Sequence, residues 1–153
     1  MASMEPLDLR TRAPRGCYAE LDGLMLMPRT IDKLRAQLPG GDPGLYYING
    51  PIKGISGYLL ERLGIGEDEL REAIRAAENE DQVAAWLREH TQASQYPAIN
   101  ATLRRIKPKH AEDEAWLRSE YAVILSDRPE LEFVVDILDA DDQRLFAKRE
   151  PRR

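Results

Sequence analysis

The sequence predicts an all-α protein, a compact bundle of about six or seven short helices with an extended N-terminal arm. Apolar residues recur three or four positions apart from residue 27 onward, which is the spacing of one helical face. Prolines and glycines interrupt this period often, so each helix is expected to be short. No linker rich in glycine and serine divides the chain, and residues 1–153 are therefore predicted to form a single domain.

The N-terminal third combines an arm, a helix and a loop. Residues 1–23 show little periodicity and contain several prolines and glycines, which favours an extended arm lying over the helices. The first helix is predicted to begin near Pro28 and to stop before Pro39, because proline fits the first turn of a helix and cannot continue one. Residues 45–48 are aromatic and β-branched, and they are interpreted as a structured loop with one short extended segment as the alternative.

Capping signals predict the next three helices. A stripe of apolar residues ends at Gly64, the glycine expected after the last turn of a second helix. Acidic residues 67–69 open a third helix, where carboxylates are favoured by the positive end of the helix dipole. Asn79 followed by Gln82 resembles a capping box and predicts the start of a fourth helix.

The C-terminal third is predicted to hold three more helices. A fifth is expected to end before Pro108, a sixth to include residues 116–125, and a seventh to begin at residues 127–130. Residues 131–138 also alternate like a strand, and their helical neighbours favour a helix. Residues 147–153 are interpreted as a short basic tail.

Composition and charge limit the classes of function. With 42% hydrophobic and 32% charged residues and a net charge of −5, the chain resembles an ordinary globular protein that is unsuited to nonspecific nucleic-acid binding. The basic run at residues 104–110 is interpreted as a solvated helix end. No apolar run approaches the roughly 18–20 residues of a membrane span, so no membrane partner is expected. A single cysteine, Cys17, and a start that lacks the features of a signal peptide favour the cytoplasm.

A cluster of charged residues in the first helix is the strongest candidate site. Three cations surround one carboxylate there, and such a group can bind a phosphate or carboxylate or shift the pKa of an Asp–Lys pair. The alternative is structural, because residues three positions apart pair across one helical turn for a few tenths of a kcal/mol. The cluster is formed by Arg29, Asp32, Lys33 and Arg35, with Tyr46 and Tyr47 expected to join from the following loop.

A second candidate is the glycine-spaced loop at residues 50–57, which carries Lys53 and Ser56 and leads into a helix. Helix N-termini bind anions, and these two side chains could assist. The spacing differs from that of a P-loop or a dinucleotide fingerprint, so no cofactor is expected and a turn followed by a helix cap is favoured.

No metal site is expected. The acids of residues 139–143 resemble the start of a calcium loop, but Arg144 stands where that loop requires glycine, and helix capping is the favoured interpretation. The only two histidines, His90 and His110, lie far apart in the sequence, and no second cysteine accompanies Cys17.

Several short motifs together resemble a bacterial family of domains of unknown function, the one numbered five thousand and sixty-nine. The resemblance implies a small, mainly helical, soluble bacterial protein, and it implies no established activity, substrate or partner. It is carried by Pro14-Arg15-Gly16, Leu21-Asp22-Gly23-Leu24, Pro28-Arg29-Thr30-Ile31-Asp32-Lys33, Leu63-Gly64-Ile65, the segment from Glu80 to Leu87, and Leu138-Asp139-Ala140-Asp141-Asp142.

Two functional hypotheses follow from the charged cluster. The first is a noncatalytic binding or accessory module that recognises a small anionic ligand or a protein partner through Arg29, Lys33, Arg35 and Lys53. The second is a small enzyme with Asp32 as acid or base, Lys33 as its electrostatic partner and a tyrosine as proton donor. A homo-oligomer with Trp86 or Trp116 in its interface is a further hypothesis.

Overall fold

Eight α-helices and one two-stranded hairpin make up the fold in the computed structural model, which describes residues 4–147. The predicted all-α class is therefore confirmed, with one helix more than expected. The elements are β1 (Glu20–Leu21), β2 (Leu24–Met25), α1 (Met27–Ala36), α2 (Ile55–Leu63), α3 (Glu67–Ala76), α4 (Glu80–His90), α5 (Tyr96–Arg104), α6 (Glu114–Glu120), α7 (Ala122–Asp127) and α8 (Val134–Ala147). Short 3₁₀ turns at Ala93–Gln95 and Pro108–His110 flank α5.

Helix α1 lies at the centre of the fold and packs against α2, α3 and β1. Every residue of this helix except Arg35 is buried. The apolar spacing predicted a helix with one buried face, whereas the observed helix is buried on nearly all sides. Its polar side chains therefore need partners inside the protein, because an unpaired buried polar group is costly.

The hairpin replaces the end of the predicted N-terminal arm. Glu20 pairs with Met25 and Leu21 with Leu24 across a two-residue turn at Asp22 and Gly23. Both turn residues have positive φ angles, 57° and 81°, as a type I′ hairpin turn requires. The Asp-Gly pair is thus a hairpin signal within the segment that was predicted to be an extended arm.

Residues 4–19 contain no helix, and backbone hydrogen bonds hold part of this segment against the loop after α1. The amide of Leu9 donates to the carbonyl oxygen of Asp42 at 2.8 Å, and the amide of Asp42 donates to Leu7 at 2.9 Å. Residues 45–48 form a loop, as predicted.

The later helices depart most from the prediction. The predicted sixth helix is divided into α6 and α7 at Tyr121. Helix α8 starts at Val134, after the expected position, and the acids of residues 139–143 lie inside it, so their interpretation as helix caps is wrong. The reason is that Asp139 and Asp142 accept hydrogen bonds from distant segments of the chain. Of the predicted basic tail, residues 148–153 lie outside the described residues.

The main core is formed by apolar residues of the hairpin and of α1 to α5, together with Val135 of α8. A small second cluster of Ile52, Leu117 and Val134 lies beneath the loop that precedes α2. Within residues 4–147, no helix has both the length and the apolar character needed to cross a membrane.

Candidate functional site

A partly enclosed pocket lies where α1, α2, α6 and α8 meet the loop of residues 45–54. Its volume is about 90 Å³, room for several water molecules or a small organic molecule, since one water needs roughly 10–15 Å³. Apolar and aromatic side chains form most of its wall, including Tyr46, Tyr47, Tyr58, Trp116 and Tyr121. Its charged lining residues are Arg29, Lys33, Lys53, Glu120, Asp141 and Asp142.

Lys33 is the most unusual group in this pocket. Its side chain is buried, with 5% of the residue exposed, and its one hydrogen bond to another described residue is to Ser56 Oγ at 3.4 Å. Within residues 4–147 no carboxylate lies within salt-bridge distance of its amine. Burial, and then the neighbouring Arg29 charge, lower the pKa of Lys33 to about 7. The amine is therefore about half neutral at neutral pH, whereas an ordinary lysine is fully charged.

Two hydroxyl groups orient the amine of Lys33. Thr30 Oγ1 lies 2.8 Å from the carbonyl oxygen of Leu26 and 2.9 Å from Ser56 Oγ. A hydroxyl has one proton and a carbonyl oxygen only accepts, so Thr30 donates to Leu26 and Ser56 donates to Thr30. Ser56 Oγ is then the acceptor in its bond with Lys33. The amine uses an N–H in that bond, and its lone pair in the neutral form remains unused.

Arg29 forms the charged wall beside Lys33. Its residue exposure is 1%, and its Nη1 donates to Asp142 Oδ2 at 2.6 Å and to the carbonyl oxygen of Arg15 at 3.3 Å. Tyr46 donates its hydroxyl to Asp142 Oδ1 at 2.6 Å, and its ring centre lies 5.6 Å from Arg29 Cζ. Asp142 thus neutralises Arg29, while the buried Nε of Arg29 has no hydrogen-bond partner among the described residues.

The acidic part of the lining comes from Asp141 on α8 and from Glu120 at the end of α6. Burial raises the pKa of Asp141, and the guanidinium of Arg144, 3.6 Å away, acts in the opposite direction. Burial also raises the pKa of Tyr121, so this hydroxyl stays protonated and can donate a hydrogen bond. The pocket therefore offers polar groups of both signs around an apolar centre.

Asp32 does not line the pocket, although it is the neighbour of Lys33 in the sequence. Its carboxylate accepts hydrogen bonds from Arg15, from the backbone amide at 2.8 Å, from Nε at 3.1 Å and from Nη2 at 3.0 Å. Arg15 also pairs with Glu80. Successive residues point about 100° apart on a helix, so Asp32 and Lys33 reach different surroundings.

Arg35 is also outside the pocket, where its Nε donates to the backbone oxygen of Glu5 at 2.8 Å. The structural alternative, in which Arg29 and Asp32 or Asp32 and Arg35 pair across one turn, is wrong: none of these pairs forms. Asp32 pairs instead with Arg15, and Arg29 pairs with Asp142, both of which are distant in the sequence.

The second candidate, the glycine-spaced loop at residues 50–57, contributes two side chains to the surroundings of the pocket. Lys53 lines the pocket rim, where it pairs with Glu61 and lies 5.2 Å from the ring centre of Tyr58. Ser56 is buried beneath the amine of Lys33. The amides of Lys53 and Gly54 donate to Glu112 and Ile48, so this loop serves as a turn into α2, as favoured from the sequence.

Both tryptophans already have intramolecular neighbours. Trp86 stacks on the ring of His90 with 4.1 Å between centres, and Trp116 packs edge-on against Tyr47 in the pocket wall. No group of three or more His, Cys, Asp or Glu side chains within residues 4–147 is arranged to hold a metal ion.

The pocket brings together Arg29, Lys33, Tyr46 and Lys53 of the predicted site, with Ser56 behind them. The sequence analysis missed Asp142, Arg15 and Thr30, because no local pattern connects them with α1. The model of one protein family, described as a domain of unknown function (DUF5069), matches residues 11–144, a range that includes all of these positions. No curated protein matches the chain.

Proposed function

The chain belongs to the DUF5069 family, and we propose that it binds a small organic carboxylate in this pocket, with Lys33 as the cationic anchor. The observation that carries the proposal is the amine of Lys33, which is buried in the wall of a partly apolar pocket without an acidic partner. A charged amine in such a place is unfavourable unless an anion joins it. A bound carboxylate supplies that anion and favours the charged form of Lys33.

The charges of the lining favour a monocarboxylate over a phosphate. Asp142 neutralises Arg29, and Glu61 pairs with Lys53, which leaves Lys33 as the cation without a carboxylate among the described lining residues. One positive charge matches one carboxylate, whereas a phosphate dianion would remain partly uncompensated in a pocket with two further acids. The aromatic and aliphatic walls fit the carbon skeleton of an organic acid.

The enzyme hypothesis needs a different acid from the one predicted. Arg29, Lys33 and Tyr46 do line one concave pocket, which is the arrangement that acid–base chemistry requires. Asp32, however, is bound by Arg15 away from the pocket, so the carboxylate beside these groups is Asp142. The binding function needs no such replacement and is therefore preferred.

Thermal unfolding with added ligands tests the proposal. Propionate, 4-methylpentanoate and benzoate are compared with inorganic phosphate and AMP, and a ligand present at 100 times its Kd should add about 2.7 kcal/mol to stability. We expect a carboxylate to raise the Tm of the wild type and of Lys109→Met, whose residue is exposed outside the pocket, and to have no effect on Lys33→Met. Absence of any carboxylate effect on the wild type, or an equal effect on Lys33→Met, contradicts the proposal.

Calorimetry gives a second readout, the number of protons that Lys33 takes up when a carboxylate binds. At about pH 8 the amine of free Lys33 is mostly neutral, because its pKa is about 7. Binding of a carboxylate should return the amine to its charged form, so close to one proton should be taken up per bound ligand. Titrations in two buffers with different ionisation enthalpies measure this uptake. Binding without proton uptake would show that Lys33 does not contact the anion.

A further inference from the structure

The pocket holds an amine whose lone pair is not engaged by the protein, and this feature goes beyond binding. Resting on the proposed function, we propose that Lys33 forms an imine with the carbonyl group of a 2-oxo acid bound in the pocket. The substrate class would then be small 2-oxo acids. Their carbonyl carbon, which is bonded to the carboxylate carbon, reacts with the neutral fraction of the amine. The imine nitrogen then takes up a proton, so that a positive charge remains beside the carboxylate.

The hydrogen bonds around Lys33 leave its nitrogen free to attack. Because Thr30 donates to the carbonyl of Leu26, Ser56 donates to Thr30 and accepts an N–H from Lys33. The neutral nitrogen therefore keeps its lone pair, to which a hydroxyl would otherwise donate. The amine is buried in the pocket wall, so an attacking geometry requires the carbonyl carbon to enter the pocket.

The neighbouring charges favour the nucleophilic form of the amine. Arg29 lies beside Lys33, and a buried lysine next to another cation is a known way to activate this residue as a nucleophile. Burial and Arg29 lower the pKa of Lys33 to about 7. By contrast, the hydrogen bond to Glu61 raises the pKa of Lys53. An ordinary lysine has fewer than about one amine in a thousand neutral at pH 7, so Lys33 should react far faster than the other four lysines.

The reaction is a condensation without any redox change. The lone pair of Nζ forms a bond to the carbonyl carbon, and the carbonyl electron pair moves to its oxygen. Over the whole reaction the nitrogen loses two protons and the oxygen gains both. One water molecule leaves, and a C=N bond remains. Arg29, which also lines the pocket, stays paired with Asp142 and exchanges no proton in this reaction.

Reductive trapping of the imine tests this inference. The full chain is incubated near neutral pH with sodium cyanoborohydride and either pyruvate or 4-methyl-2-oxopentanoate, and the product is examined by intact mass and peptide mapping. We expect one stable adduct, with the mass of the oxo acid less one oxygen, located at Lys33. Lys33→Met should form no adduct at this position, whereas Lys109→Met, which changes an exposed lysine outside the pocket, should form the Lys33 adduct as the wild type does.

The matching 2-hydroxy acids, lactate and 2-hydroxy-4-methylpentanoate, separate this inference from the proposed function. If the oxo and hydroxy acids both raise the Tm but no adduct forms at Lys33, the imine is excluded and carboxylate binding stands. If neither kind of acid raises the Tm and no adduct forms, both proposals fail. Adducts spread over the exposed lysines, or unchanged in Lys33→Met, also overturn the imine. Peptide mapping of the wild type decides the site even if a variant folds poorly.

Discussion

Replacement of Lys33 by methionine should stabilise the protein at neutral pH and make its free energy of unfolding less dependent on pH. Methionine has a similar length and no charge, so it removes the cost of the buried amine while keeping most of the packing. The fall in pKa from the ordinary 10.5 to about 7 corresponds to about 5 kcal/mol for the charged form, at about 1.4 kcal/mol per pH unit. At pH 7, where half of the folded molecules are neutral at this site, we expect a gain of about 4 kcal/mol.

The sign of the pH dependence follows from the protons bound in each state. Between pH 7 and 10.5 the unfolded chain holds a proton on Lys33 that the folded protein lacks, so wild-type stability rises with pH by up to about 1.4 kcal/mol per pH unit. Below the folded pKa of about 7 both states are charged, and the penalty is fully present. The advantage of Lys33→Met should therefore be largest at or below pH 7 and should disappear as the pH approaches 10.5.

Urea unfolding at about pH 6, 7, 8 and 9 measures this difference between the variant and the wild type. Other groups titrate in both proteins alike, so the difference isolates Lys33. Lys53→Met serves as the matched control, because its amine is paired with Glu61 at the rim. A variant advantage that is constant over this pH range, or a loss of stability at pH 7, would refute the reasoning about the buried amine.

Four further substitutions test other parts of the site and the fold. Asp32→Ala should lower the free energy of unfolding by about 2–4 kcal/mol in urea titrations, since Arg15 loses its buried partner, while carboxylate affinity per folded molecule stays unchanged. Gly41→Ala would place a Cβ 2.6 Å from the backbone oxygen of the last α1 residue and should cost about 1–3 kcal/mol in the same assay. Gly16→Ala meets nothing closer than 3.6 Å and should be nearly neutral, so equal effects of the two glycine changes would contradict the packing argument. Tyr46→Phe removes the hydroxyl that donates to a buried carboxylate and should cost about 1–3 kcal/mol, and an unchanged midpoint would show that water replaces the hydroxyl.

Local signals predicted the helices whose ends depend on short-range chemistry. Asn79 caps α4 by accepting from the amide of Gln82 at 3.0 Å, as its position predicted. Gly64 ends α2 with a φ of 74°, and the amide of Ile65 donates back to Leu60, which is the expected glycine stop. After residue 104 the prediction was less accurate, because the break at Tyr121 carries neither proline nor glycine. Tertiary packing determines that break, and periodicity cannot reveal it.

The sequence predicted the positively charged residues of the candidate site but not the acidic residue that pairs with Arg29. The sequence placed Arg29 and Lys33 together because they are near in the chain, and Tyr46 because it follows closely. It assigned them Asp32 as the acid, on proximity alone. The acid that contacts Arg29 is Asp142, on a helix that begins more than a hundred residues later, and only the packing of α8 brings it there. Long-range ion pairs of this kind leave no spacing rule in a single sequence.

The three buried charged residues of α1 differ in one respect that supports a binding function. Asp32 forms an ion pair with Arg15, and Arg29 forms one with Asp142, so the charges of both residues are neutralised within the fold. Of these three, Lys33 alone forms no ion pair with a described residue, although a methionine there is expected to remove a cost of about 4 kcal/mol. A purely structural role does not explain that cost, whereas a ligand that supplies the missing negative charge does. Saturation with a bound carboxylate should therefore narrow the stability gap between the wild type and Lys33→Met, because the anion stabilises only the protein that retains the amine.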